Sequence, residues 1–392
     1  MLKEDMYQEL TERILPFWLN LKDEQNGGLY GKVDFDLNID KYGDKGGIVT
    51  ARFLWTFSAA YRILKDEKYL AMADHVFQFL TDKLIDREHR GIYWLLDYQG
   101  KPIDTRKHIY AQSFAIYGLS EYYRITQKEE ALELALELYD LIESIGFDQE
   151  NQAYKEEFNR EWIEVPNEML SENGVVADIT MNTHIHILEA YTNLYKAYPN
   201  EALKDRLITL LKVHYEKIYQ HDTHFLGVFF DKQWSKIIDL KSFGHDIEAA
   251  WLMDDTIRTL GIENEAYKKM IRDISYNISE YAIQPDGSLI NEEENGELDK
   301  TRVWWVQAEA IVGFYNAYQR TGDIKFLNRV QGLWNYIQTT IHDPRPNGEW
   351  YWSIEPDGSP TKRDLVEPWK ASYHNARMAL ELIERMEKDD TQ

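Results

Sequence analysis

The sequence contains no cysteine. Disulfides, thiolate nucleophiles and thiolate metal sites are therefore excluded, and no redox-compartment signature is present. Positive charge is also scarce: 44 Lys and Arg stand against 68 Asp and Glu, a formal net charge of −24. Nucleic acid and anionic membranes both select cationic surfaces, so neither is an expected partner. Long apolar runs are missing, and none approaches the ~18 residues that read as a membrane span. The first residues, MLKEDMYQELTERILPFWLNL, scatter acids through an amphipathic helical pattern and lack the apolar segment of a signal peptide. Gly-Pro-Ser linkers are absent as well, which predicts one domain over residues 1–392. The expectation is a soluble, cytoplasmic monomer. What the chain has in excess is aromatic surface: 14% of residues, with 12 Trp and 26 Tyr. Ring faces beside many carboxylates suit a carbohydrate cleft, since a ring covers the C–H face of a sugar while polar groups take its hydroxyls. Bulky packing between long helices is the alternative use.

One short element recurs, a small residue followed by an aromatic-rich run and a polar turn. It appears as NGGLYGKVDFDLN (26–38), HRGIYWLLDYQGKP (89–102) and NQAYKEEFNREW (151–162). It returns as HFLGVFFDKQW (224–234), PDGSLINEEENGE (285–297) and NGEWYWSIEPDGSP (347–360). The copies start about 60–70 residues apart, room for two helices and their connections. Between them lie amphipathic patterns such as EKYLAMADHVFQFLTDKLI, and patterns apolar over more of their circumference such as SFAIYGLSEYYRITQ. The alternation predicts an all-α (α/α)6 barrel with six inner helices, six outer helices and short β-hairpins at one rim. Residues near the inner-helix starts should then converge on one mouth.

Those starts carry unusual side chains: Arg52, His108 with Tyr110, Asn182 with His186, His245 with Glu248, Trp304 with Trp305, and Trp369 with His374. His245 and Glu248 are i, i+3 neighbours, so the carboxylate could hold one imidazole nitrogen and leave the other to a ligand. A satisfied core pair would look the same. In MNTHIHILEAY, His184 and His186 point apart on a helix, and sharing a face with Asn182 places His186 inward. On a strand the two histidines would share a face and could bind metal. Arg52 sits in an apolar helix start, costly unless it is paired or faces a polar cavity. Trp304 and Trp305 lie about 100° apart on a helix, so at most one points straight into a lumen. Residues 34–45 have Asp34, Asp36, Asn38 and Asp40 at EF-hand spacing, but Ile39 and Lys45 stand where that loop needs Gly and Glu. No phosphate loop, nucleophile elbow, HExxH or dinucleotide motif is present, so no metal and no cofactor is demanded.

TARFLWTFSAAYR, DTRKHIYAQSFAIYGLSEYY, MNTHIHILEAYTNLY, SFGHDIEAAWL, VWWVQAEA and EPWKASYHNARM resemble the N-acylglucosamine 2-epimerase superfamily, in order and over nearly the whole chain. The paired tryptophans and KHIYAQSFAIY favour its branch acting on β-1,4-linked disaccharides. The resemblance implies an (α/α)6 barrel and inversion at C2 of the reducing-end glucose of a small-molecule disaccharide. His245 and His374 match the acid/base histidines, and Arg52, His186 and Glu248 the supporting catalytic residues. Trp305 and Trp369, with Trp304 as the neighbour in register, match sugar-contacting tryptophans; Tyr110 and Asn182 match polar contacts. The chemistry explains the residue types. Removing the C2 proton of an opened aldose makes an enediolate that needs preorganised donors, a role for Arg52 and His186. Inversion needs proton removal from one face and return to the other. Two imidazoles do this well, because an unperturbed pKa near 6.5 lets one start neutral and the other protonated. Glu248 would bias His245. The competing readings are N-acylglucosamine 2-epimerase or aldose–ketose isomerase activity on the same scaffold. More distant are a non-catalytic binding protein and a glycoside hydrolase using Glu248, Asp254 or Glu309.

Overall fold

The computed structural model describes residues 2–170 and 174–390. At the start, α1 (Leu2–Gln8) and α2 (Leu15–Leu19) are joined by a π-helical turn and act as one outer helix. There follow α3 (Gly47–Leu64), α4 (Glu67–Phe79), α5 (Ile109–Thr126), α6 (Glu129–Leu141), α7 (Met181–Ala197) and α8 (Glu201–Val213). The series ends with α9 (Phe243–Leu260), α10 (Glu265–Tyr281), α11 (Trp304–Thr321), α12 (Ile324–Tyr336) and α13 (Tyr373–Asp390). The odd-numbered helices from α3 to α13 touch in sequence, and α13 returns to α3. Each even-numbered helix from α4 to α12 backs the inner helix before it, while α1 backs α13. The architecture is an (α/α)6 barrel. No helix among the described residues is long and apolar enough to cross a membrane.

Composition sorts the rings. In α5 every residue from Ile109 to Tyr122 is buried, as expected of a helix covered on all sides. The outer α10 buries only one stripe, including Met270, Ile271, Ile274 and Ile278. Four inner helices, α3, α5, α9 and α11, turn sharply into their outer partners through left-handed residues at Lys65, Gln127, Gly261 and Gly322. Asp66, Asn200, Asn264 and Asp323 then cap the outer helices with their side-chain oxygens. Inner helices approach closely at two glycines. A Cβ on Gly118 would meet the Ala51 carbonyl oxygen at 2.6 Å, and one on Gly313 would meet that of Ile247 at 2.8 Å.

The rim differs from the expected row of separate hairpins. Six tight turns do follow the outer helices, bridged at Lys22–Leu29, Ile85–Ile92, Phe147–Tyr154, Tyr219–Leu226, Ile283–Leu289 and His342–Trp350. The strands leading into the inner helices, however, pair with the next repeat. Lys45–Gly46 pairs with Leu95–Leu96, Lys107–His108 with Glu157–Phe158, and Ile179–Thr180 with Phe229–Phe230. Leu240–Ser242 pairs with Glu292–Glu294, and Arg302–Val303 with Ser353–Ile354. A bridge from Val366 back to Val33 completes the circle. Backbone pairing of this kind satisfies strand edges that would otherwise be left open.

A repeated polar clamp fixes each helix start to its turn. The fourth residue of four inner helices accepts a buried backbone N–H: Gln112 from Ile92 at 2.7 Å, and His184 from Tyr154 at 3.0 Å. Asp246 likewise accepts from Leu226 at 3.2 Å, and Gln307 from Leu289 at 2.9 Å. His184 is thereby consumed in outward packing, as its helical position predicted. Buried lysines add further ties: Lys45 to Asp23 at 2.7 Å, Lys107 to Asp86 at 3.0 Å and Lys370 to Glu349 at 2.8 Å.

Candidate active site

The strand ring and the clamps hold the first two turns of the inner helices around a cavity of about 460 Å³. Its walls include Arg52 from α3, Tyr110 from α5, Asn182 and His186 from α7, and His245 and Glu248 from α9. Trp304 and Trp305 come from α11, His374 from α13, and Trp369 from the segment before it. All the residues expected at the mouth from the sequence, except His108, thus lie on one cavity. His108 does not line it; this ring caps α5 and meets Asn167 at 3.2 Å. The sequence reading missed Ser242, Asn291, Glu292, Trp352 and Arg363, which also contribute to the wall. Trp352 carried a usable signal, as an aromatic in the sixth copy of the recurring rim element.

Trp305 joins the two proton-transfer candidates. Its indole centroid lies 4.6 Å from the His245 ring and 5.5 Å from the His374 ring. Trp304 packs instead against Trp352 with the rings tilted by 52° and their centroids 4.4 Å apart, and its buried Nε1 has no partner among the described residues. The Arg52 guanidinium reaches the Tyr110 hydroxyl at 2.8 Å and rests over Phe114 and Tyr373, 4.2 Å and 4.8 Å from their centroids. An arginine held by aromatic faces, with no carboxylate partner among the described residues, keeps its charge available to a ligand.

Each histidine is held through Nδ1. His374 donates to Glu309 at 2.7 Å, His186 donates to Glu189 at 2.8 Å, and His245 meets the Ser242 hydroxyl at 2.7 Å. In His374 and His186 the carboxylate fixes the tautomer, leaving Nε2 with its lone pair. Two expectations are corrected here. Glu248 does not hold His245; Ser242 does, while Glu248 accepts from Arg377 at 2.5 Å. Nor does one imidazole start protonated. Burial, reinforced by His186 and Arg52, pushes His245 down to about 3. Burial, Arg52 and Arg377 hold His374 well below the usual imidazole range. Both shifts favour the neutral ring.

Beneath the histidines lies a carboxylate cluster that sequence periodicity could not assemble. Arg377 donates to Glu189, Glu248 and Glu309, and Tyr373 donates to Glu189. Trp251 completes Glu309 at 3.0 Å. Ligand atoms of Glu248, Glu309 and His374 lie within 4.8 Å of one another. A divalent ion could use that spacing, but the Arg377 guanidinium already bonds both carboxylates. This layer separates the cavity from a second one of about 540 Å³, lined by Glu189 and Trp251 on its inner side. Asp254 pairs with Arg320 and Arg258, away from the histidines. Glu248 and Glu309 share one arginine rather than facing each other across a cleft, so this pair lacks the carboxylate geometry of a glycoside hydrolase.

The family model for N-acylglucosamine 2-epimerase (GlcNAc 2-epimerase) matches residues 28–377. The chain belongs to the N-acylglucosamine 2-epimerase family. Within that family, it is 46% identical to a cellobiose 2-epimerase from Dictyoglomus turgidum, across 98% of this chain and 99% of that protein. It is 47% identical to one from Ruminococcus albus, again across 98% and 99%. A solved cellobiose 2-epimerase from Bacillus thermoamylovorans superposes with a TM-score of 0.97 at 56% identity, covering 98% of this chain and 99% of the other. A D-mannose isomerase at 20% identity and a TM-score of 0.86 shares the family's fold.

Proposed function

We infer that this chain catalyses the 2-epimerisation of cellobiose, turning the reducing-end glucose into mannose, and converts lactose to epilactose in the same way. The observation that carries this reading is the pair of imidazoles resting on one indole, with Arg52 in the same cavity wall. After ring opening, one neutral imidazole takes the C2 proton while Arg52 meets the negative charge spreading onto the substrate oxygens. That charge favours protonation of the neighbouring rings, which enclosure alone disfavours. The second imidazole, protonated by water as that charge builds, then delivers its proton to the opposite face, and the first returns the proton it took to water. Trp305, Trp369 and Trp352 offer ring faces to the sugars, and Asn182 and Tyr110 polar contacts. The enzyme is on this account an isomerase that draws on its own side chains alone. Identities above 40% over full length to several cellobiose 2-epimerases support this substrate over mannose or N-acylglucosamine.

The test is incubation with cellobiose in deuterium oxide, followed by NMR of the products. Glucosyl-mannose with deuterium at C2 is expected. A ketose as the main product would replace the reading with an isomerase, and free glucose with a hydrolase.

A further inference from the structure

Glu189, Glu248 and Glu309 converge on the guanidinium of Arg377. The charged and titratable groups around them come from every inner helix that meets there. They are Arg52 on α3, Tyr117 on α5, His186 on α7, His245 on α9, and Tyr373, His374 and Arg377 on α13. With the imidazoles neutral, two cations face three carboxyl groups in a buried space. Like charges this close cannot all ionise, so one acid keeps its proton.

The hydrogen bonds identify which one. Glu189 accepts from His186, Tyr373 and Arg377. Glu309 accepts from His374, Trp251 and Arg377. Carboxylates supplied with several donors are stabilised in the ionised form. Glu248 accepts from Arg377 through Oε1, and its buried Oε2 has no partner among the described residues. Glu248 also lines the sugar cavity, which the sixth position of α9 places beside His374. A carboxylate oxygen left bare in such a place is costly, whereas a protonated one is a donor ready for an incoming oxygen.

We propose that Glu248 is a neutral carboxylic acid in the empty enzyme and donates its Oε2 hydrogen bond to the substrate oxygen that gains charge as the C2 proton leaves. The proposal rests on the epimerase reading above. Glu248 and Arg52 then form a two-donor cradle, one neutral and one cationic. A buried acid kept neutral for this purpose is an established way to stabilise an enolate-like oxygen. Burial and the nearby Glu309 raise the pKa of Glu248 well above the carboxylate range, against the pull of Arg377; burial raises Glu309 as well, but its bonds from Arg377 and Trp251 oppose that rise. Orienting His245, the role its spacing first suggested, falls to Ser242.

Infrared difference spectra test the proton without any sugar. Empty wild-type enzyme minus Glu248→Gln, near neutral pH in deuterium oxide, should show one protonated-carboxyl C=O band lost in the variant. Absence of that band overturns the proposal. Activity tests the donor. Glu248→Gln keeps a hydrogen-bond donor in place and should retain a tenth or more of the epimerisation rate, without the alkaline loss that wild type suffers as the acid ionises. Glu248→Ala should fall by about 10²–10³, the cost of removing one such donor. A Gln variant as inactive as the Ala variant, with its circular dichroism unchanged, overturns the donor role. Should wild type leave cellobiose unchanged, the substrate assignment fails while the infrared result stands by itself.

Discussion

His245 and His374 meet Trp305 from different helices, one held by a hydroxyl and the other by a carboxylate. His245→Asn and His374→Asn should each lower C2 deuterium exchange by about 10²–10⁴, the range for losing an acid/base group, with circular dichroism unchanged. The pH profile carries a second expectation. A base must be neutral to act, and His245 is pushed down to about 3. Between pH 7.5 and 5.5, kcat/KM should therefore show no half-loss near 6.5, where an unperturbed imidazole would titrate. A titration centred there would contradict the assignment. The polar members of this site were legible because His, Arg and Trp stand out in apolar helix starts. Arg377 and Glu189 did not stand out, since they find each other across the barrel. Glu248 misled for a related reason. Its local neighbour is His245, but Arg377, 129 residues away, offers a full charge and takes the carboxyl instead.

At the level of elements, inner and outer helices could be told apart by how far round the apolar residues extend. The clamp could not, because Gln112, His184, Asp246 and Gln307 share a position rather than a residue type. Asp246 is the odd member. Gln112 and Gln307 also donate to the carbonyls of the residues they accept from. Asp246 can match that only when protonated, and burial raises its pKa well above the carboxylate range. The folded state then binds a proton that the unfolded chain releases above about pH 4, so this residue costs stability as pH rises. Asp246→Asn supplies the amide outright. It should melt close to wild type at pH 4.5 and above wild type at pH 8.5, as read by calorimetry. A variant that loses stability throughout would mean that Asp246 serves as a charged group.

For the molecule as a whole, the six-fold repeat was visible in spacing, but the exchange of strands between repeats was not. Pairing such as Lys107–His108 with Glu157–Phe158 joins residues that sequence periodicity assigns to separate units. Closure also depends on backbone contact at Gly118, where a side chain would strike Ala51. Gly118→Val should destabilise the protein by about 1–3 kcal/mol, the usual cost of overpacking, measured by denaturant unfolding. Its effect should reach the candidate active site, because α3 carries Arg52 and α5 carries Tyr110. The strand circle, ending where Val366 rejoins Val33, has a mechanical consequence. Walls shared by neighbouring repeats move together, whereas the segment bearing Arg363 hangs outside the circle and reshapes the cavity mouth without shifting the helices beneath it.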